Sequence, residues 1–249
     1  MDKGLYIAMS GARASLQAQA TVAHNLANVE TRGFKAALAA TEAYAVPGAG
    51  WQTRVAATPA DPGFDARAGA QQVTGNPLDV SLRQDRWLAV QAADGSQAYT
   101  RDGGLTLTPN GLLTTRGGRP LLGADGNPLA VPPHQAIEIG QDGTISIIPQ
   151  GEGPQSLLIL GRIQVMEAAP GQLARGDDGL MRPTDPRTPL APATGDSLST
   201  GMLEASNVDA AGALVQMIQL QRQFEMQVKV IRHGDENARS ANSLLRLGG

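Results

Sequence analysis

The stretch "HNLANVETRGFK", residues 24–35, decides how this chain is organised. Residues before it keep a helical spacing of apolar and small side chains, and residues after it do not. Asn25 and Asn28 carry side chains that bond backbone groups where a helix ends, and Asn28 suits either a capping or a left-handed position there. Gly33 tolerates positive φ without a steric penalty. Thr31 is placed to start a turn, and Phe34 offers an apolar anchor that can fold back onto the helices, next to the charged Lys35. Asn25, Leu26, Asn28, Thr31, Gly33, Phe34 and Lys35 therefore form a candidate joint between two kinds of structure.

Working outward, Leu5, Met9, Ala12, Leu16, Gln19, Ala23 and Leu26 step alternately by four and three, with Gln19 the one polar intruder. That spacing is the seam of a coiled coil, and its alanine content favours close approach over a bulky core. A longer pattern closes the chain. Leu214, Met217, Gln221, Phe224, Val228 and Ile231 continue the same steps, with Ile218 and Leu220 widening the stripe. Ser206 or Asn207 is the expected N-cap, with Asp209 placed to complete a capping box from Ser206. Gly234 is expected to weaken this helix locally, by about 1 kcal/mol relative to alanine. Each stripe needs a partner, either the other terminal helix or a neighbouring copy.

The middle of the chain has a different period. Short β-like runs such as "RWLAVQA", "GLTLT", "RPLLG", "TISII" and "SLLILGRIQVMEA" are separated by Asp94-Gly95, Asn110-Gly111, Gly117-Gly118, Asp125-Gly126 and Asp142-Gly143. Such punctuation indicates antiparallel hairpins. The expected class is α+β: long N- and C-terminal helices forming a coiled-coil-like core, with an inserted antiparallel all-β middle domain. The expected segments are a helix and joint over 1–35, an extended Ala/Gly/Pro-rich arm over 36–73, and a β domain over 74–180. A Pro-rich return linker over 181–205 and a helix over 206–249 complete the chain.

Composition narrows the chemistry. The 249 residues carry a net charge of −3, 3% aromatic content and no cysteine. Without cysteine there is no disulfide, thiolate metal site or cysteine nucleophile. The near-neutral balance gives no footprint for nucleic acid. No apolar run approaches the roughly 20 residues of a membrane helix. His24, His134 and His233 follow no metal-binding spacing, and most aspartates of the β region precede glycine in turns. Phosphate loops, nucleophile elbows and dinucleotide fingerprints are missing from the sequence. The expectation is no catalytic residue, no cofactor and no metal. The competing class is a β-domain enzyme or ligand-binding protein with helical anchoring segments, which would need a concave pocket of converging titratable groups.

Three blocks then carry a resemblance. "MDKGLYIAMSGARASLQAQATVAHNLANVETRGFK" (1–35) resembles the N-terminal signature of bacterial flagellar axial proteins. "TGNPLDVSLRQDRWLAVQ" (74–91) and "AYTRDGGLTLTPNGLLTTRGGRPLLG" (98–123) resemble the middle domain of the rod and hook subgroup. "GMLEASNVDAAGALVQMIQLQRQFEMQVKVI" (201–231) resembles its C-terminal signature. The opening and the helix ending look like the proximal-rod branch; a distal-rod or hook-type subunit is the alternative within the family. The resemblance implies a non-enzymatic structural subunit of the flagellar basal-body rod, lying in the periplasm. It also implies export by the flagellar type III apparatus without a cleaved signal peptide. The implied partners are proximal-rod neighbours and the distal-rod protein, in a homo- and hetero-oligomeric helical assembly used for motility.

Overall fold

In a computed structural model, residues 3–45, 55–60, 63–153 and 155–247 are described. The chain divides into two compact units. The first is built from Met1–Asn28, Ala37–Pro62 and Val208–Gly249, the second from Val29–Ala36 and Gly63–Asn207.

The first unit holds α1 (Lys3–Ala27), a hairpin of β1 (Ala40–Ala45) and β2 (Val55–Ala60), and α2 (Ala210–Leu247). The two helices are paired within the one chain. A Cβ placed on Gly11 would lie 2.9 Å from Gln227 Nε2, and one on Gly234 2.7 Å from Leu5 Cδ2. These two contacts run in opposite senses along the helices, so the pair is antiparallel. On α1 the buried face is Ala8, Ala12, Ser15 and Val22. On α2 the corresponding face is Ala213, Met217, Leu220, Phe224, Gln227, Ile231 and Gly234, buried or half-buried at steps of four and three. Small side chains on α1 let α2 approach closely, and the one buried hydroxyl there, Ser15 Oγ, donates to Gly11 O at 3.0 Å. Gly234 does not end α2. It makes room for Leu5, and the helix runs on to Leu247. The hairpin is tied to α1 where the Ala57 amide donates to Ser10 Oγ at 3.2 Å.

The N-cap of α2 differs from the expected Ser206 or Asn207. Asp209 takes that place: its Oδ1 accepts from the Ala211 amide at 3.1 Å and its carbonyl from the Ala213 amide at 2.9 Å. Asp caps a helix as well as Asn does, and Asn207 is engaged elsewhere.

The second unit is an antiparallel β body. Its strands are β3 (Gln71–Val73), β4 (Val80–Leu82), β5 (Arg86–Gln91), β6 (Gln97–Thr100), β7 (Leu105–Leu107) and β8 (Leu113–Thr115). They continue with β9 (His134–Ile139), β10 (Thr144–Pro149), β11 (Leu158–Arg162), β12 (Val165–Glu167) and β13 (Leu173–Arg175). The last four are β14 (Met181–Pro183), β15 (Ala191–Pro192), β16 (Leu198–Thr200) and β17 (Met202–Glu204). The largest sheet has the order β13-β14-β6-β5-β12-β15, and a three-stranded sheet the order β11-β10-β9. Strand β5 explains why "RWLAVQ" is apolar almost throughout. Leu88 and Val90 enter one core cluster with Val80, Leu105, Leu121 and Ile145. Trp87 and Ala89 enter a second with Tyr99, Met166 and Met181. Both faces of this strand are covered, so period-two alternation is lost. The turns use the expected chemistry: Asp94 Oδ1 accepts from the Ser96 amide at 2.9 Å, and Asp142 Oδ1 from the Thr144 amide at 3.0 Å.

Two segments differ from their expected form. Residues 181–205 are no linker: β14 to β17 lie there, and Leu190, Ser197, Leu198 and Leu203 are buried. Pro183 and Pro192 fall at strand ends, where a missing donor costs little, and Pro186 and Pro189 lie in the loop between those strands, so a proline-rich composition concealed them. Within 36–73 the hairpin β1–β2 and strand β3 replace a plain arm. The run "RPLLG" makes only isolated bridges, such as Val90 with Leu121 and Leu122 with Pro128.

Candidate functional site: the crossing segments

The chain passes between the units near residues 28–29, 36–37 and 207–208, and the candidate joint lies across the first of these crossings and ends just before the second. Asn25, Leu26 and Asn28 belong to the helical unit; Thr31, Gly33, Phe34 and Lys35 belong to the β body.

On the helical side, Asn25 clamps one residue at two points. Its Oδ1 accepts from the Ala37 amide and its Nδ2 donates to the Ala37 carbonyl, both at 2.8 Å. Asn28 closes α1, donating from Nδ2 to His24 O at 2.9 Å and from its amide to Asn25 O at 3.0 Å. It keeps a negative φ, so it acts as a cap and not as a left-handed residue. Leu26 is half-buried.

On the β side, segment 29–36 is held by groups distant in sequence. Lys35, Arg101 and Glu204 have side chains only 2% exposed. Glu204 Oε1 accepts from Lys35 Nζ at 2.8 Å and from the Gly69 amide at 2.9 Å. Glu204 Oε2 accepts from Arg101 Nε at 2.7 Å, and Arg101 Nη2 lies 2.6 Å from the same oxygen. The surplus positive charge is met by carbonyls. Lys35 Nζ donates to Arg67 O at 2.6 Å. Arg101 donates to Arg86 O at 2.7 Å and to Leu82 O at 3.0 Å, and its guanidinium stands 5.6 Å from the centre of the Trp87 ring.

Burial would raise the Glu204 carboxyl, but Arg101 and the Lys35 hydrogen bond outweigh it and hold the group below the usual glutamate range. Burial acts the other way on Lys35 and pulls its ammonium below the usual lysine range. A paired buried charge of this kind is costly to break, because the remaining partner is left uncompensated.

Backbone contacts complete the clamp. The Gly33 amide donates to Glu204 O at 2.8 Å, and Gly33 has φ 63°. A Cβ there would lie 2.2 Å from the Arg101 carbonyl oxygen, so only glycine fits. Asn207 Oδ1 accepts from the Ala36 amide at 2.7 Å, and its Nδ2 donates to Asp65 O at 3.0 Å and Arg67 O at 2.9 Å. Phe34 is buried beneath the Arg175 guanidinium, 4.3 Å from its ring centre, and Arg175 Nη2 donates to Lys35 O at 2.5 Å. Its cover is therefore the β body. Thr31 is exposed and offers its carbonyl to the Phe34 amide at 3.3 Å.

The segments that leave α1 and enter α2 are thus pinned together on one carboxylate. The expected joint contained Lys35 but not Glu204, Arg101, Asn207 or Arg175 as its partners. The available signal was Glu204 itself, a charge directly after "ML" in a strand-like run within the C-terminal block.

The helix seams divide between two faces. Leu5, Leu26, Met217, Leu220, Phe224, Val228 and Ile231 are half-buried. Met9, Leu16, Leu214 and Ile218 are exposed, as are Val215, Met226 and Val230. Among the described residues no group of three His, Asp or Glu could hold a metal ion. A groove of about 590 Å³ in the β body is walled by Leu107, Pro109, Val131, Pro132 and Pro133, with His134 its one titratable side chain.

Three family models match the chain in order. Residues 5–35 match one described as flagella basal body rod protein. Residues 83–147 match the flagellar hook protein FlgE/F/G D1 domain, and 199–244 the flagellar basal body rod FlgEFG protein C-terminal. The chain is similar over its length to curated proteins. It is 43% identical to the flagellar basal-body rod protein FlgF of Escherichia coli K12, over 99% of this chain and 100% of that one. The corresponding protein of Salmonella typhimurium LT2 is 42% identical over the same shares. That of Caulobacter vibrioides is 32% identical over 97% of each chain.

Proposed function

From the premise that the chain belongs to the flagellar basal-body rod protein family and is a structural subunit of that rod serving motility, we propose that it takes a place in the proximal rod and joins the tubular shaft through its terminal helices. The observation that carries this reading is the second apolar face of the helix pair. After α1 and α2 have packed together, Met9, Leu16, Leu214, Ile218, Met226 and Val230 still point to solvent. A two-helix layer cannot cover both of its sides. Neighbouring subunits supply the missing cover, in contacts that repeat without closing and so build a helical tube. The four-and-three spacing of the buried faces supports coiled-coil-like packing within the pair.

The neighbours are other proximal-rod subunits and the distal-rod protein, in the periplasm. Travel to that place by the flagellar type III export route, without a cleaved signal, suits a chain with no cysteine to trap it in a folded form. A non-catalytic role is supported by the relatives, which are named as basal-body rod proteins. The test is purification of hook–basal bodies from cells carrying an epitope-tagged copy. The chain is expected in the detergent-resistant rod fraction at fixed stoichiometry; its recovery only in soluble fractions would overturn the assignment.

A further inference from the structure

The chain has seven methionines, and among the described residues they divide by exposure. Met166 and Met181 are buried in the second core cluster of the β body, 8% and 3% exposed. Met202 and Met217 are half-buried. Of the described methionines only Met9 and Met226 face water, at 55% and 59% exposure, one on each helix of the first unit. A Cβ on Gly11 would meet Gln227, so the two methionines lie within about one turn of each other along the helix pair. Each stands in an exposed apolar row, Met9 between Tyr6 and Leu16 and Met226 one turn before Val230. A thioether suits such a row, because it is unbranched, polarizable and apolar. These two are also the exposed sulfurs of the described residues, since the chain has no cysteine.

We propose that Met9 and Met226 are oxidation sites that control assembly: their conversion to sulfoxides by a peroxide keeps the free subunit out of the rod. The proposal rests on the rod-subunit reading and on the exposed helix stripe as its assembly surface. In the reaction a sulfur lone pair attacks one peroxide oxygen. An S–O bond forms as the O–O bond breaks, and the departing hydroxide takes the remaining proton and leaves as water. Sulfur is oxidised and the peroxide is reduced. The product carries a polar oxygen that accepts hydrogen bonds and donates none. A neighbouring subunit covering the stripe would bury that oxygen against apolar side chains without a donor, which opposes the contact. Met166 and Met181 are shielded from the oxidant, so the β body keeps its packing while the helix face changes polarity. Methionine sulfoxide reductases regenerate the thioether, so the change is reversible.

Purified full-length chain treated with hydrogen peroxide is expected, by peptide mass spectrometry, to gain one oxygen at Met9 and at Met226 before Met166 and Met181 react. Oxidation of Met166 or Met181 as fast as the helix methionines would overturn the assignment of the sites. The same treatment of intact hook–basal bodies should oxidise Met9 and Met226 about tenfold more slowly than in the free chain, because a neighbour covers them. Equal rates would overturn the link to assembly. In cells, the polar pair Met9→Gln/Met226→Gln, which imitates the sulfoxides, is compared with the apolar pair Met9→Leu/Met226→Leu. Both should keep the helical circular dichroism signal of the free chain. The Gln pair is expected to enter basal bodies at least about tenfold less than the Leu pair. Equal incorporation of the two pairs would reject the switch. Absence of the wild-type chain from basal bodies would instead remove the rod-subunit reading, while the pattern of oxidation in the purified chain would still decide the two sites.

Discussion

Lys35 and Glu204 stand 169 positions apart in the chain and 2.8 Å apart in the body. Glu204 is the carboxylate shared by two buried cations, so it is the residue on which the crossing segments depend. Glu204→Gln keeps the shape but leaves Lys35 and Arg101 without a carboxylate. It is expected to cost about 3–5 kcal/mol, measured by denaturant unfolding of the purified chain. The same carboxyl sets an acid dependence. Its folded pKa is depressed below the ordinary 4.5, so across that window the unfolded chain binds more protons than the folded one. The stabilisation is complete above the unfolded value and is lost as pH falls through the folded one. Wild type should therefore lose more stability than Glu204→Gln between about pH 5 and the acid limit; parallel curves would count against the triad. Gly33→Ala meets both a left-handed backbone and the Arg101 carbonyl, and should destabilise by about 2 kcal/mol or more. A stable Gly33→Ala protein would mean that this segment can shift.

At the level of elements, the two faces of α2 separate folding from assembly. Leu220 lies on the half-buried face toward α1, and Ile218 is exposed. Leu220→Asp is expected to reduce the helical circular dichroism signal of the free protein. Ile218→Asp is expected to leave that signal intact and abolish incorporation into the rod, scored by swimming and by basal-body blots. Normal motility with Ile218→Asp would remove the exposed stripe as an assembly surface. Gly234→Ala tests the close approach of the helices. The added Cβ meets only the flexible end of Leu5, and alanine is about 1 kcal/mol better in a helix. Thermal melts should therefore place this variant near or above wild type.

Across the whole molecule, the two units bury different kinds of surface. The β body holds two clusters of large side chains, whereas the helical unit buries mainly alanine, serine and valine on α1. The helical signal should melt at a lower temperature than the fluorescence of the buried Trp87, read in a Trp51→Phe variant; coincident melts would show one cooperative unit. The terminal helices, the Asx-Gly hairpins and the apolar run of β5 were legible in the sequence, since each rests on spacing and turn chemistry within a few neighbouring residues. The strands of 181–204 were not, because their prolines mask them and their pairing partners lie far away in the chain. In the stretch 24–35, the helix stop at Asn28 was legible because its bonds to His24 O and Asn25 O are local. What Lys35 does there was decided only by tertiary structure. A buried ion pair exists by virtue of a partner brought from the other end of the chain, and no local pattern encodes that meeting.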